Sequence, residues 1–350
     1  MNTSFLTKVA VPVIFLFAVN MGTVAQPPQN YYSDAEGKSG YALKTALHNI
    51  IKNHRTLSYS SLWTAYQKTD IKEGTTDKVW DMYSDCDWTY RSDQCGSYSN
   101  ECDCYNREHS FPKSWFNEAS PMQTDLVHIV PTDGKVNGMR SNNPFGNVGS
   151  ATYTSGNGSK LGNCGDCGGY TKKVFEPIDE YKGDFARIYF YMVTCYEDKV
   201  AGWNGSGAQE MLDGTSNQAF KDWAKNLLLQ WHRQDPVSDK EKSRNNGIEE
   251  EQGNRNPFVD YPELVEKIWG NDNTKFLLDL TSIETHAISD DAVFYEMYPA
   301  AEIISILGTL LKQTTSLGVN TDIDEFPRGI YIVKYIHRDG KNFLSKKIVK

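Results

Sequence analysis

The sequence predicts an α+β protein: a mainly helical body followed by a small all-β C-terminal domain. Three observations carry this. Apolar residues recur at helical spacing over 40–53, 184–197 and 208–232. Short apolar runs over 293–298, 303–307, 310–313, 329–336 and 342–349 read as strands, several parted by Gly- or Pro-containing turns. Hydrophobic residues make 39% and aromatics 12% of the 350-residue chain, which excludes wholesale disorder and coiled coil.

In chain order, Lys8 precedes an eleven-residue apolar run, 9–19, with Thr23-Val24-Ala25 behind it. The run is shorter than the ~20 residues a membrane span needs, so residues 1–25 read as a secretory signal peptide and no stable membrane span is expected. Residues 40–53 form an opening amphipathic helix. Residues 58–100 read as short strands and loops, and 141–172, rich in Gly, Asn and Ser, as a surface excursion. A strongly apolar helix starts near Asp184, and a second continues over 208–232 until Asp235-Pro236 breaks it. A charged helix spans 239–252. The body ends at 271, a linker covers 272–292, and the β domain runs over 293–350.

All seven cysteines lie between 86 and 195. Export permits disulfides and the odd count leaves one over. A four-thiolate zinc site built from Cys102, Cys104, Cys164 and Cys167 is the competing reading, disfavoured by the cramped Cys102-x-Cys104 spacing. The pairing stays open. The formal charge is −9, so no basic field steers the whole molecule toward polyanions. Within 105–143, however, Arg107, Lys113, Lys135 and Arg140 balance Glu108, Glu118, Asp125 and Asp133.

That segment carries the chemistry. Glu108-His109 alone is a common dipeptide. The stretch 125–146 that follows packs Asp, His, Asn, Arg and Lys at a density costly to bury without partners, which favours a site over a core element. REHSFPKSW (107–115) followed by DLVHIVPTDGKVNGMRSNNPFG (125–146) resembles the bacterial endonuclease I family of ββα-metal nucleases. FEP (175–177), GDFARIYFYM (183–192), DPVS (235–238) and QGNRNPF (252–258) match in the same order, so the resemblance covers about 40–270.

The resemblance implies a secreted, sequence-nonspecific endonuclease carrying a ββα-metal motif in its body. It would cleave DNA, with RNA as a further substrate, and leave 5′-phosphate ends. Glu108 and Asn137 resemble the protein ligands of one divalent cation, Mg²⁺ with Mn²⁺ or Ca²⁺ as alternatives, and His109 the base that activates water. Hard oxygen donors and a neutral imidazole suit those tasks. Arg140, three residues beyond Asn137, and Arg187 are the candidate phosphate holders. Arg107, His128, Gln252, Asn254 and Asn256 are expected to support the site. Gln123 stands where some members carry a carboxylate, and Val127 where a second His often follows the Leu. The tail from Tyr298 resembles a type IX secretion sorting domain, on Tyr298-Pro299, PRGIYIVK (327–334) and KKIVK (346–350). It implies export by that machinery, with release or surface attachment. The chain is expected to act as a monomer. The competing readings are an inactive nucleic-acid- or surface-binding module on the same fold, and a zinc-stabilised hydrolase.

Overall fold

The computed structural model describes residues 27–278, 299–305, 310–316, 319–323, 325–327, 330–336, 338 and 343–349. The expected signal peptide, most of the expected linker and the strand expected over 293–298 lie outside them.

The body opens with α1 (Gly40–Ile51), which buries Leu43, Ala46, Leu47 and Ile51 along one stripe. Where the sequence suggested only strands and loops, α2 (Leu62–Thr69) follows, then the two-residue strands β1 (Lys78–Val79) and β2 (Trp88–Thr89). Next comes the antiparallel pair β3 (Tyr105–His109) and β4 (Ile129–Asp133), running straight into α3 (Gly134–Arg140). The excursion after α3 is a three-stranded antiparallel sheet: β5 (Val148–Thr154), β6 (Lys160–Cys164) and β7 (Lys173–Glu176).

Helix α4 (Lys182–Cys195) is buried along its whole length. It begins two residues before Asp184. That carboxylate does not cap the helix but meets Arg187 at 3.6 Å and Lys240 at 2.5 Å. After α5 (Glu197–Val200), the helix expected over 208–232 is broken into α6 (Ala208–Met211) and α7 (Asp222–Gln234). The break runs over 212–221: Leu212 is already extended and bridges Phe220. Between them the Asp213 side chain accepts from the Thr215 amide and Gly214 adopts φ +80°, which turns the chain back.

Helix α8 (Asp239–Gln252) starts with a reciprocal cap. The Glu241 amide donates to Ser238 Oγ at 3.2 Å, and the Ser238 amide donates to Glu241 Oε2 at 2.9 Å. Its inward face is polar: Glu241, Arg244, Asn245 and Gln252 are buried along with Ile248. It crosses α2 at Gly247, where a Cβ would lie 2.5 Å from the Lys68 carbonyl, so only glycine permits the approach. Two short helices, α9 (Pro257–Asp260) and α10 (Glu263–Trp269), close the body. Phe276, in the segment expected to be linker, is fully buried in the body's core, and its amide donates to the Lys38 carbonyl.

The C-terminal strands β8 (Ala300–Ser305), β9 (Leu310–Thr315), β10 (Ile330–Ile336) and β11 (Phe343–Val349) form one antiparallel sheet in the order β11-β10-β8-β9. A short helix, α11 (Val319–Ile323), lies between β9 and β10. Ala301, Ile303, Val319, Ile323, Val333 and Tyr335 make a core separate from that of the body.

Cys86 pairs with Cys102, Cys95 with Cys104 and Cys164 with Cys167. The four cysteines considered for zinc are therefore spent on three different bridges, which removes that site. Cys195 is free and buried. Among the described residues no helix is long and apolar enough to cross a membrane.

Candidate active site

The β3–β4 pairing sets Glu108 opposite Val130 and His109 opposite Ile129. The turn from β4 into α3 is made by Asp133. Its Oδ1 accepts from the Val136 amide at 2.9 Å, and its Oδ2 from the Cys102 amide at 2.6 Å. This caps α3 and ties its first turn to the Cys86–Cys102 bridge. At Gly138 a Cβ would meet the Tyr98 hydroxyl at 2.3 Å, so the absence of a side chain there lets Tyr98 lie across α3.

Strand alternation splits the candidates between two sides. Asn106 and Glu108 face α3. Asn137 Nδ2 donates to Asn106 Oδ1 at 2.7 Å, leaving the Asn137 amide oxygen for another partner. Glu108 is 3% exposed. Its Oε1 accepts from Tyr83 Oη at 2.9 Å and from Arg140 Nη1 at 2.8 Å, both on the same oxygen. Burial pushes the Glu108 carboxyl above its ordinary range, against the pull of Arg140 and Tyr83. A carboxylate oxygen and an amide oxygen on one side of the hairpin are a donor set that suits a hard, largely hydrated divalent cation such as Mg²⁺. The single carboxylate is already paired with an arginine, so it brings little uncompensated negative charge to such an ion.

His109 and Arg107 occupy the other side of β3. His109 Nε2 lies 3.0 Å from the Gln123 carbonyl. A carbonyl only accepts, so Nε2 carries the proton and Nδ1 keeps its lone pair. Burial, and then the nearby His128, lower the His109 pKa to about 3, which keeps the ring neutral. The Tyr59 ring runs nearly parallel to it, 18° apart with centroids at 6.1 Å. His109 therefore has Gln123, Tyr59 and His128 as its ring neighbours, not Glu108 or Asn137. His128 is fully buried, donates from Nε2 to the Met122 carbonyl at 2.7 Å, and is also held neutral by burial.

Both arginines expected to hold phosphate are instead inside the protein. Arg140 is fully buried. Besides Glu108 it donates to the carbonyls of His109 (3.1 Å) and Ser110 (2.7 Å) and to Tyr189 Oη (3.2 Å). Arg187 is fully buried in a two-pronged pair with Glu241, at 2.5 and 2.7 Å, and also donates to the Asp235 carbonyl. Sequence spacing placed Arg140 on the correct face of α3 but could not tell how deep that face lies.

The supporting residues hold the segment leading into β4. Gln252 accepts from the Leu126 amide at 2.9 Å and donates to Asp125 and Asn254, each at 2.8 Å. Asn254 donates to the Ile51 carbonyl and to Tyr191 Oη. Asn256 caps α9 through the Phe258 amide and reaches the Arg187 carbonyl. Arg244 donates to the carbonyls of Leu126, Val127 and Ile129 and to Asp70. Sequence reasoning missed Tyr59 and Tyr83, for which no local signal exists, and did not single out Tyr189 within the matching block 183–192. Asn106 was within reach, because it sits two residues before Glu108 on the same strand face.

The model of the Endonuclease I family matches residues 39–263. This chain belongs to the Endonuclease I family. It is a nuclease, a phosphodiester hydrolase, of a family that generally uses a divalent metal. Similar proteins include an extracellular ribonuclease of Bacillus amyloliquefaciens, 40% identical over 71% of this chain and 80% of its own length. One from Bacillus subtilis (strain 168) is 38% identical over 68% and 78%. An extracellular deoxyribonuclease of Aeromonas hydrophila is 28% identical over 41% of this chain and 52% of its own.

Proposed function

We propose that this Endonuclease I member is a secreted, sequence-nonspecific nuclease that hydrolyses both DNA and RNA with one divalent cation and His109 as the base. The observation that carries the reading is the pairing of Glu108 and Asn137 oxygens on one side of the hairpin with a neutral His109 whose Nδ1 is unprotonated. The β3–β4–α3 unit is then the ββα-metal motif. The two Bacillus relatives matched over most of their length are named ribonucleases, which favours RNA among the substrates. Their names, with the apolar run at 9–19, favour export. We assign the C-terminal strands the role of a type IX sorting address.

Glu108 and Asn137 would hold Mg²⁺, with Mn²⁺ or Ca²⁺ as alternatives. When bound, the ion neutralises charge on the phosphate and on the leaving oxygen. His109 Nδ1 takes the proton of the attacking water, and the Gln123 carbonyl fixes the ring and stabilises the positive charge it gains. Attack in line with the 3′ oxygen breaks the bond between phosphorus and that oxygen and leaves a 5′-phosphate, the departing oxygen taking a proton from solvent water to end as a 3′-hydroxyl. Arg140 acts through Glu108, setting the angle of its carboxylate, and is a positioning residue. Cleavage of plasmid and of RNA by the mature protein, with Mg²⁺ and with EDTA, beside His109→Ala, tests this. Magnesium-dependent cleavage lost in the variant is expected. Folded protein that leaves both polymers intact in Mg²⁺, Mn²⁺ and Ca²⁺ would overturn it.

A further inference from the structure

Tyr59 is 39% exposed, among the few large apolar side chains open to solvent in the described residues. It sits in a turn fixed by bonds among Ser58, Ser60 and Ser61, and its carbonyl accepts from Arg107 Nη1 at 2.6 Å. The Arg107 guanidinium lies between two rings, 3.7 Å from the centroid of Tyr59 and 4.4 Å from that of Trp63. Farther on, the Arg91 guanidinium lies 5.4 Å from the Tyr90 ring, and Tyr90 Oη bonds to the carbonyl of Thr64, beside Trp63. Aromatic and arginine side chains thus alternate from the turn before α2, past Arg107 of β3 and Trp63 of α2, to the residues after β2. Tyr59 and Arg91 are exposed, Arg107, Trp63 and Tyr90 half-buried, and the strip begins at His109.

We propose that Tyr59, Arg107, Trp63, Tyr90 and Arg91 form a binding strip for unpaired nucleotides, with Tyr59 stacking the base nearest the scissile phosphate. This rests on the reading of His109 as the base. A phosphate brought to His109 Nδ1 carries its base toward the adjacent Tyr59 ring, whose plane is nearly parallel to the imidazole. Rings that stack bases, interleaved with arginines for the backbone, are the chemistry by which single strands are held without sequence choice. In a duplex each base is already stacked and paired, and must leave that stack before it can lie on Tyr59. The strip therefore favours single-stranded RNA and DNA over duplex.

The test is steady-state cleavage by the full mature protein of one labelled oligonucleotide, presented as a single strand and as a blunt duplex. Tyr59→Ala is expected to raise KM for the single strand on the order of ten-fold, the size of one lost base stack. kcat should change less than two-fold and the duplex KM little. Tyr59→Trp should restore single-strand KM. Arg91→Ala, at an exposed position, should reduce the slope of log affinity on log salt by about 0.7 for a single strand, the share of one phosphate contact. A kcat loss at unchanged KM would make Tyr59 a packing partner of His109, and equal KM changes on both substrates would remove the single-strand preference. Either result overturns the strip. Full activity in His109→Ala would overturn instead the reading on which it rests.

Discussion

Arg140→Leu isolates what the buried pair beneath the hairpin contributes. The side chain donates to Glu108, to two strand-end carbonyls and to Tyr189, all inside the core. Ser110's carbonyl keeps a bond from Tyr189 Oη at 2.9 Å, so the main losses are Glu108's countercharge and the partner of the His109 carbonyl. Removing one member of a buried pair costs ~3–5 kcal/mol, because the other charge stays desolvated. That is a large part of a typical 5–15 kcal/mol stability. The sign with pH follows from the direction of the shift. Burial already raises the Glu108 carboxyl, and loss of the guanidinium raises it further. A group whose folded pKa is raised stabilises below its unfolded value, about 4.3, and loses that stability as pH rises through the folded value. The parent shares the lower part of that window, so the variant's deficit changes, by ~1.4 kcal/mol per pH unit, only between the parent's folded value and the variant's higher one. Urea unfolding of both proteins at pH 7 and pH 5 should show a deficit that shrinks in acid. A deficit below 1 kcal/mol, or one equal at both pH values, would refute the account of Arg140 as the countercharge of Glu108.

The acid limb of kcat/KM should fall well below the ordinary imidazole value near 6.5, since burial lowers His109 to about 3. A pH–rate profile breaking at 6 to 7 would assign the base elsewhere. Arg187→Met should lower the melting temperature and leave KM within two-fold, because its guanidinium is committed to Glu241; a ten-fold KM rise at unchanged stability would return it to phosphate binding. Reduction of the bridges should destabilise the body, the 16-residue separation of Cys86 and Cys102 alone accounting for ~3 kcal/mol by loop closure. Melting with and without dithiothreitol reads this, and no change would show that the loop stays ordered without its bridge.

The readable parts of the sequence were those whose signal is local. Residues 40–53 show a clean apolar stripe and form α1. The motif 107–115 with 125–146 lies on one hairpin and the helix after it. Helix α2 escaped because LWTAYQKT mixes aromatics with polar residues, yet it buries Leu62, Ala65, Tyr66 and Thr69. Helix α8 was found by charge, but its buried face is made of Glu241, Arg244, Asn245 and Gln252, which no apolar period can show. The site failed to read through where depth mattered. Arg140 and Arg187 look like phosphate ligands in a sequence, and only packing reveals that each faces a buried carboxylate. Tyr59 and Tyr83 reach β3 from 50 and 25 residues upstream, and nothing near them marks the destination.

Helix α4 has no wet face, and its polar side chains reach three separate places. Tyr189 braces the Arg140 fork, Tyr191 bonds Asp125 ahead of β4, and Arg187 grips the cap of α8. The loops around the hairpin thus share one axle. A change that rotates α4 by a fraction of a turn would move all three anchor points together, so these loops cannot be retuned one at a time. Anyone reshaping the enzyme's pH range or thermal tolerance would do better to work from the outer rim and leave this axle as it stands.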